Sequence, residues 1–218
     1  MSRPLLVLRP QPGADATAGR ARLMGLTPWV APLFTIMPMP WDPPAAESFD
    51  ALLFTSASAV RAAGAGLAAF AHLPVVAVGE ATAEAARAAG LAIEQTGDAD
   101  GRTVVAAARF ERLLHLAGRR HAPVDDPRVT SVPVYAAEVL PPPELPVDGV
   151  ALLHSGRAAR RFASIVTQRH HYDLVAISPA VADDAGPGWR SVVAADQPRD
   201  AAMLALAAPL CESLNHGV

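Results

Sequence analysis

The chain predicts an α/β protein built from two doubly wound, parallel-sheet domains, and three observations carry that prediction. Val75 to Val78 is a short apolar run rich in β-branched residues, the pattern of a strand buried on both faces. Gly79 breaks the run, and the alanine-rich stretch Ala81 to Ala89 follows, closed by Gly90 at the C′ position; that is strand, tight turn, helix. The same unit then recurs along the chain as an internal duplication. Leu52-Leu-Phe-Thr-Ser56 returns as Leu152-Leu-His-Ser-Gly156, 100 positions on, and Val76-Ala-Val-Gly79 as Val175-Ala-Ile-Ser178, 99 positions on. Leu5-Leu-Val-Leu8 is echoed by Leu113-Leu-His-Leu116, Val30 to Phe34 by Val132-Pro-Val-Tyr135, and Arg102 by Arg199. Five matches in one order indicate a repeated strand-helix unit. Each copy has about five strands alternating with helices, hence a parallel sheet covered on both faces.

Taken in order, Leu5 to Leu8 reads as the first strand, followed by Arg9-Pro10 and a loop through Gly13. A helix from about Asp15 to Met24 stops at Gly25. Val30 to Phe34 reads as an edge strand, because Pro32 inside it cannot donate to a ladder. Met37 to Pro44 carries four prolines and reads as an irregular crossing connection. Asp50 to Ser56 is a strand ending in hydroxyl residues, and Ser58 to Ala71 the helix after it. Gly64-Ala-Gly66 lies within or at the end of that helix rather than in the turn after a strand, so it is not a dinucleotide fingerprint. At 73–91 the free amides opening the helix, with the Thr82 hydroxyl, suit an anion; the structural alternative is that Gly79 only turns the chain and Thr82 only caps the helix. A loop at Gly97-Asp98-Ala99-Asp100-Gly101 leads to a helix from about Arg102 to Phe110. The proline-rich segments 37–44 and 141–146 are the natural linkers between domains, and two such sheets facing each other would form a ligand cleft at their strand ends.

Composition excludes several functions. The 218 residues contain no lysine, so all 18 basic residues are arginine. Schiff-base chemistry, lysine-bound pyridoxal phosphate and a phosphate-loop lysine are out. A formal net charge of −3 gives no general pull toward nucleic acid or anionic membranes. The longest apolar run, Ala201 to Cys211, contains Pro209 and falls short of the roughly 20 residues that span a bilayer. No signal peptide is evident at the start, and the single cysteine, Cys211, reads as core packing; a cytoplasmic protein is expected. The seven histidines show no ligand spacing, and His170 and His171 are adjacent, so no metal site is expected. His154 reads either as facing the cleft or as a partly exposed turn residue. No Ser-His-Asp or Cys-His arrangement follows from order or spacing.

Together, Leu8-Arg-Pro10, Leu53-Phe-Thr-Ser-Ala-Ser-Ala-Val60, Val76-Ala-Val-Gly-Glu-Ala-Thr-Ala83, Val132-Pro-Val-Tyr135 and the degenerate second copy at 152–186 resemble the uroporphyrinogen-III synthase family. Its members close the linear tetrapyrrole hydroxymethylbilane. The resemblance covers nearly the whole chain. It implies two flavodoxin-like lobes joined by two linkers: lobe one from 1–35 plus 137–218, lobe two from 36–136, with the active-site cleft between them. It further implies a cofactor-free, metal-free monomer serving haem, sirohaem or cobalamin biosynthesis, with transient contact with hydroxymethylbilane synthase as a chemically reasonable handover. Substrate would be held by backbone amides and hydroxyls at the turns Thr55, Ser56 and Ser58; Gly79, Glu80, Ala81 and Thr82; Gly118 and Arg119; Ser155 and Gly156; and Ser178 and Ala180. The chain departs from the family at His154-Ser155, where threonine-serine is usual, and at Ser178-Pro-Ala-Val181.

The implied substrate is a polycarboxylate, so helix N-termini and arginines complement it. Arg9, Arg119, Arg157 and Arg160 lie at or just after expected strand ends; for any one of them a solvated surface role is the alternative. Glu80 is placed to favour a helix dipole, and its carboxylate would repel a polyanion. Loss of the terminal hydroxyl and closure with inversion of the last ring ask the protein mainly for proximity and orientation. Tyr135, one of only two tyrosines, ends a strand entering a linker and is the candidate general acid; the alternative is a tyrosine packed at a hinge. A non-catalytic two-lobed module that binds a small anion fits the duplicated architecture too, without Tyr135 having a chemical role.

Overall fold

The structure, a computed structural model, describes residues 2–97, 101–121 and 123–212. The Asp98 to Asp100 part of the acidic loop lies outside the described residues. Strand β1 (Leu5–Val7) is wholly buried and leads through Arg9-Pro10 into α1 (Gly13–Leu23). The edge strand expected over 30–34 is displaced: β2 occupies Pro28–Val30, and Phe34–Pro38 forms β3. Pro32 is the reason. Ala31 and Leu33 on either side still donate to the Val7 and Leu8 carbonyls at 3.0 and 3.1 Å, but proline has no N–H with which to continue the ladder. Met37 and Pro38, expected in irregular chain, therefore close a strand.

Next come β4 (Ala51–Phe54) and α2 (Ala57–Ala63). The helix expected to reach Ala71 breaks at Gly64, where φ is 56°, and goes on as a 3₁₀ turn over Gly64–Phe70. The Trp41 indole lies against Gly66 and donates to the Ala63 carbonyl at 3.1 Å, and a Cβ at 66 would strike the ring. Strand β5 (Val75–Val78) and helix α3 (Glu80–Ala88) form as expected, with Gly79 at φ 78° and ψ 144° between them. That backbone region is close to glycine-only.

Strand β6 (Ile93–Gly97) was not expected, because its alternation of half-buried and exposed polar residues carries little apolar signal. Helix α4 (Gly101–Ala106) is shorter than the 102–110 expected, and β7 (Leu113–Gly118) and β8 (Val129–Val139) follow. The remainder is β9 (Gly149–Leu153), α5 (Gly156–Ile165), β10 (Tyr172–Ala176), α6 (Pro179–Asp184), β11 (Ser191–Ala194) and α7 (Asp200–Glu212).

The chain divides into two compact units, Met1–Thr35 with Val139–Val218, and Ile36–Glu138. It leaves unit one within β3 and returns within β8. Unit one holds a sheet of order β2-β1-β9-β10-β11, parallel throughout. Read in chain order this is 2-1-3-4-5, the flavodoxin-like arrangement. Unit two has the order β3-β8-β7-β4-β5-β6, parallel from β8 to β6. The same arrangement recurs there, circularly permuted and extended by β3.

Each sheet is buried on both sides. In unit two, Leu52, Phe54, Val75, Ala77, Leu114 and Leu116 meet the α2 and α3 side, while Ala51, Leu53, Val76 and Leu113 meet Val104 and Val105 of α4. In unit one, Leu5, Val7, Val150, Leu152 and Val175 pack on Ala14 and Ala21 of α1 and on Met203, Leu204, Ala207 and Cys211 of α7. Successive strand residues facing opposite ways is the period-two geometry that lets unbroken apolar runs be fully buried.

The duplication is visible in the pairing, with one correction to its register. Leu52 stands opposite Val75, and Ala151 opposite Leu174. The offset is thus 99 in both strands (75 to 174, 52 to 151), and the apparent 100 of the leucine match is a slip of one residue. Under the true register Thr55 corresponds to His154 and Ser56 to Ser155. Both serines are helix N-caps: Ser56 accepts from the Ser58 N–H and Ser155 from the Ala158 N–H, each at 3.2 Å.

Candidate functional site

Open parallel sheets bind ligands beyond their strand carboxyl ends, beside the point where strand order reverses. In unit one that point lies between β1 and β9, and in unit two between β4 and β7. The chemistry-bearing side chains gather there.

In unit one, His154 follows β9 directly and its Nε2 lies 2.8 Å from Asp200 Oδ1, at the start of α7. The same carboxylate accepts from Thr17 Oγ1 at 2.8 Å and from Arg20 Nε at 2.8 Å, with the Arg9 guanidinium 3.7 Å away. Burial raises the proton affinity of Asp200, but its hydrogen bonds from His154, Arg20 and Thr17 outweigh that and hold it well below the usual carboxylate range. An ionised carboxylate only accepts, so the imidazole proton sits on Nε2. Burial, aided by Arg9 and Arg20 and opposed by Asp200, pushes the His154 pKa down and keeps the ring neutral. Its Nδ1 is buried and has no hydrogen-bond partner among the described residues.

In unit two the corresponding strand end carries Thr55, whose Oγ1 lies 3.1 Å from His115 Nε2; His115 Nδ1 lies 3.1 Å from Ser131 Oγ. His115 is fully buried, and burial first, then neighbouring His121, lower its pKa to about 4. A neutral imidazole between two hydroxyls donates on one side and accepts on the other. Nearby, Tyr135 stands opposite Gly118 across β8 and β7. Its ring closes over that glycine so tightly that a Cβ at 118 would lie 2.8 Å from it, and the Arg119 N–H donates to the Tyr135 carbonyl at 2.7 Å. The Tyr135 ring is half-buried against the core and its hydroxyl has no partner among the described residues.

The family model described as uroporphyrinogen-III synthase HemD matches residues 15–205. This chain belongs to the uroporphyrinogen-III synthase family. The solved uroporphyrinogen-III synthetase of Helicobacter pylori 26695 superposes with a TM-score of 0.65 at 18% identity, covering 96% of this chain and 100% of that one. A mutant uroporphyrinogen III synthase of the extremely thermophilic bacterium Thermus thermophilus gives 0.56 at 16% identity, covering 94% and 96%. At those identities the likeness is one of fold. No curated protein matches the chain.

Within this uroporphyrinogen-III synthase framework, the structure sorts the residues that the sequence singled out. Thr55, Ser56 and Ser58 follow β4 beside Gly118 and Arg119 at the end of the adjacent strand β7, and Tyr135 stands opposite Gly118; Tyr135 does not end its strand, as the sequence suggested, because β8 runs on to Val139. Gly79 to Thr82 open α3 on the neighbouring strand β5, where Ala81 is exposed, Thr82 is buried, and Glu80 pairs with Arg87 at 2.5 Å. In unit one, Arg9 joins His154 and Asp200. Ser155 is used as a cap, and a Cβ at Gly156 would collide with the Asp184 carboxylate, itself paired with Arg160 at 2.5 Å. A protein carboxylate thus already stands at the start of α5. Arg157 lies over the Phe34 ring at 4.3 Å. Ser178 makes no side-chain cap, Pro179 occupies the first turn of α6, and Ala180 is exposed.

Sequence reasoning missed Asp200, Thr17, Arg20, His115, Ser131 and Asp184. At the offset of 99, Asp200 at the start of α7 corresponds to Gly101 at the start of α4, as His154 corresponds to Thr55, but the contact within each pair is made only by the fold. Among the described residues no group of three or more His, Cys, Asp or Glu side chains could hold a metal. No described helix is long and apolar enough to cross a membrane.

Proposed function

We propose that this chain cyclises hydroxymethylbilane to uroporphyrinogen III, inverting the last pyrrole ring with loss of water, as a hydro-lyase of tetrapyrrole biosynthesis. The family match over residues 15–205 carries the reading. The chemistry at the strand ends supports it. The capped helix start at Ser56 and the open turn at Gly79 offer backbone amides to a polycarboxylate, with Arg9 and Arg119 as its cationic complement. The Tyr135 phenol protonates the departing hydroxyl, which leaves as water. Its proton is replaced by the one that the last ring loses from carbon when aromaticity returns, so the step balances. The rest of the task is orientation, since the bilane closes unaided to the uninverted isomer, and held geometry accounts for the outcome. The protein works as a cytoplasmic monomer without cofactor, taking its unstable substrate from hydroxymethylbilane synthase.

A coupled assay tests this. Hydroxymethylbilane is generated in situ, the protein is added, and the oxidised type I and type III porphyrins are separated. A dominant type III product is expected. A ratio equal to the enzyme-free control would refute catalysis and leave a bilobed anion-binding module as the reading.

A further inference from the structure

We infer that His154, oriented by Asp200, is the base of this reaction: its Nδ1 takes the proton of a pyrrole N–H as the hydroxyl leaves. The inference rests on the cyclase reading above and deepens it.

Four observations meet at this residue. His154 is the first residue beyond β9, beside the point where the strand order of unit one reverses. Its Nε2 is committed to Asp200 at 2.8 Å, and that carboxylate is filled by Thr17 and Arg20 as well, so ring tautomer and orientation are fixed. Its side chain is only 9% exposed, yet Nδ1, a good acceptor, has no partner among the described residues. Buried polar atoms are rarely left unmatched without a functional reason.

The fourth is the internal comparison. The positions of His154 and Asp200 are those of Thr55 and Gly101 in unit two, which also meet: a Cβ on Gly101 would stand 3.1 Å from the Thr55 methyl. The fold is therefore built at this spot with a threonine and a glycine. Among the described residues only unit one places a carboxylate-imidazole pair there, the orienter-and-base half of a catalytic triad, with substrate supplying the third member.

The electrons balance. As the C–O bond of the hydroxymethyl group breaks, the N–H bonding pair moves into the ring and an exocyclic carbon–carbon double bond forms. The proton goes to Nδ1, and hydroxide takes up a second proton and departs as water; the proton that the last ring later loses from carbon restores the count. The resulting imidazolium faces the Asp200 carboxylate, with Arg9 and Arg20 as the opposing cations. When the new carbon–carbon bond forms at the methylene, the electron pair returns to nitrogen, which recovers its proton from His154. The ring ends neutral and ready.

The test is the porphyrin assay run as a pH series on the full chain and on His154→Gln and Asp200→Asn, with folding followed by circular dichroism. The inference expects kcat of His154→Gln to fall by roughly 10²- to 10⁴-fold, the usual range for general base catalysis, with KM little changed. It also expects the acid limb of the wild-type kcat/KM profile to vanish in that variant. In Asp200→Asn the limb moves to lower pH, because Asp200 is what favours the protonated ring. A His154→Gln protein with wild-type kcat and an unchanged acid limb would overturn the assignment while leaving the cyclase reading intact. Wild type giving the control isomer ratio would instead remove that reading. If His154→Gln does not fold, nitrogen NMR of wild type decides: a bare Nδ1 and protonated Nε2 at neutral pH are required, and a protonated Nδ1 refutes the proposal.

Discussion

Two buried histidines of the same chain are held for different ends, and their partners show which. His115 has a hydroxyl on each ring nitrogen and is satisfied; it fixes Thr55 at the end of β4. Unfolding lets it bind a proton at its ordinary value of 6.5, whereas the folded ring stays neutral down to about 4. Between those values the unfolded chain holds the extra proton, so the stability from His115 is complete above about pH 6.5 and is lost as pH falls toward 4. The loss amounts to about 3 kcal/mol. Urea unfolding of wild type and His115→Gln at pH 7 and pH 4.5 measures it. The variant should lose less stability on acidification than wild type, and an equal pH slope in both proteins would show that His115 is not the group responsible. At Tyr135 the expected effect is on chemistry instead. Tyr135→Phe keeps the ring that covers Gly118 and removes only a hydroxyl with no partner among the described residues, so thermal stability should stay within about 0.5 kcal/mol of wild type. Type III formation should slow by ~10²-fold or more. Unchanged turnover would take Tyr135 out of the mechanism.

At the scale of elements, the strand end matters more than the helix start. Gly118 is buried at the end of β7, and Tyr135 on β8 lies where its side chain would be. Gly118→Ala should therefore push the ring off its seat, destabilising the fold by ~1–3 kcal/mol as overpacking does and lowering activity beyond what stability explains. Activity of a folded Gly118→Ala protein equal to wild type would show that the seat is not needed. The same contrast between central and peripheral elements decided what the sequence made legible. Strands β4, β5, β7 and β10 are buried on both faces and read directly as apolar runs. Strand β6 borders its sheet, alternates polar residues, and gave no signal. Pro32 marked an edge correctly but shifted the strand by two residues. The turns at Thr55-Ser56 and Gly79 were readable because capping and left-handed backbone demand particular residues locally. Asp200 against His154, and Asp184 against the start of α5, were not, because each joins elements that only the tertiary fold brings together.

For the molecule as a whole, the arrangement is one unit inserted into another. Ile36–Glu138 is continuous in sequence and has its own sheet and two apolar faces, whereas unit one is assembled from residues 1–35 and 139–218. Where the chain leaves and re-enters unit one, Leu140 N–H donates to the Leu33 carbonyl at 3.0 Å, so the two ends of the interruption are already adjacent. Excising the insertion and joining the ends with a short glycine-serine loop should then cost little closure entropy. The β2-β1-β9-β10-β11 sheet would retain all its strands and its covering helices α1, α5, α6 and α7. Such a protein of about 115 residues, a usual domain size, should show α/β circular dichroism and one cooperative thermal transition, and the excised 36–138 segment should do the same by itself. A chain that stays unfolded after excision would mean that unit one draws its stability from the insertion. In that case the duplicated sheets are one folding unit and not two.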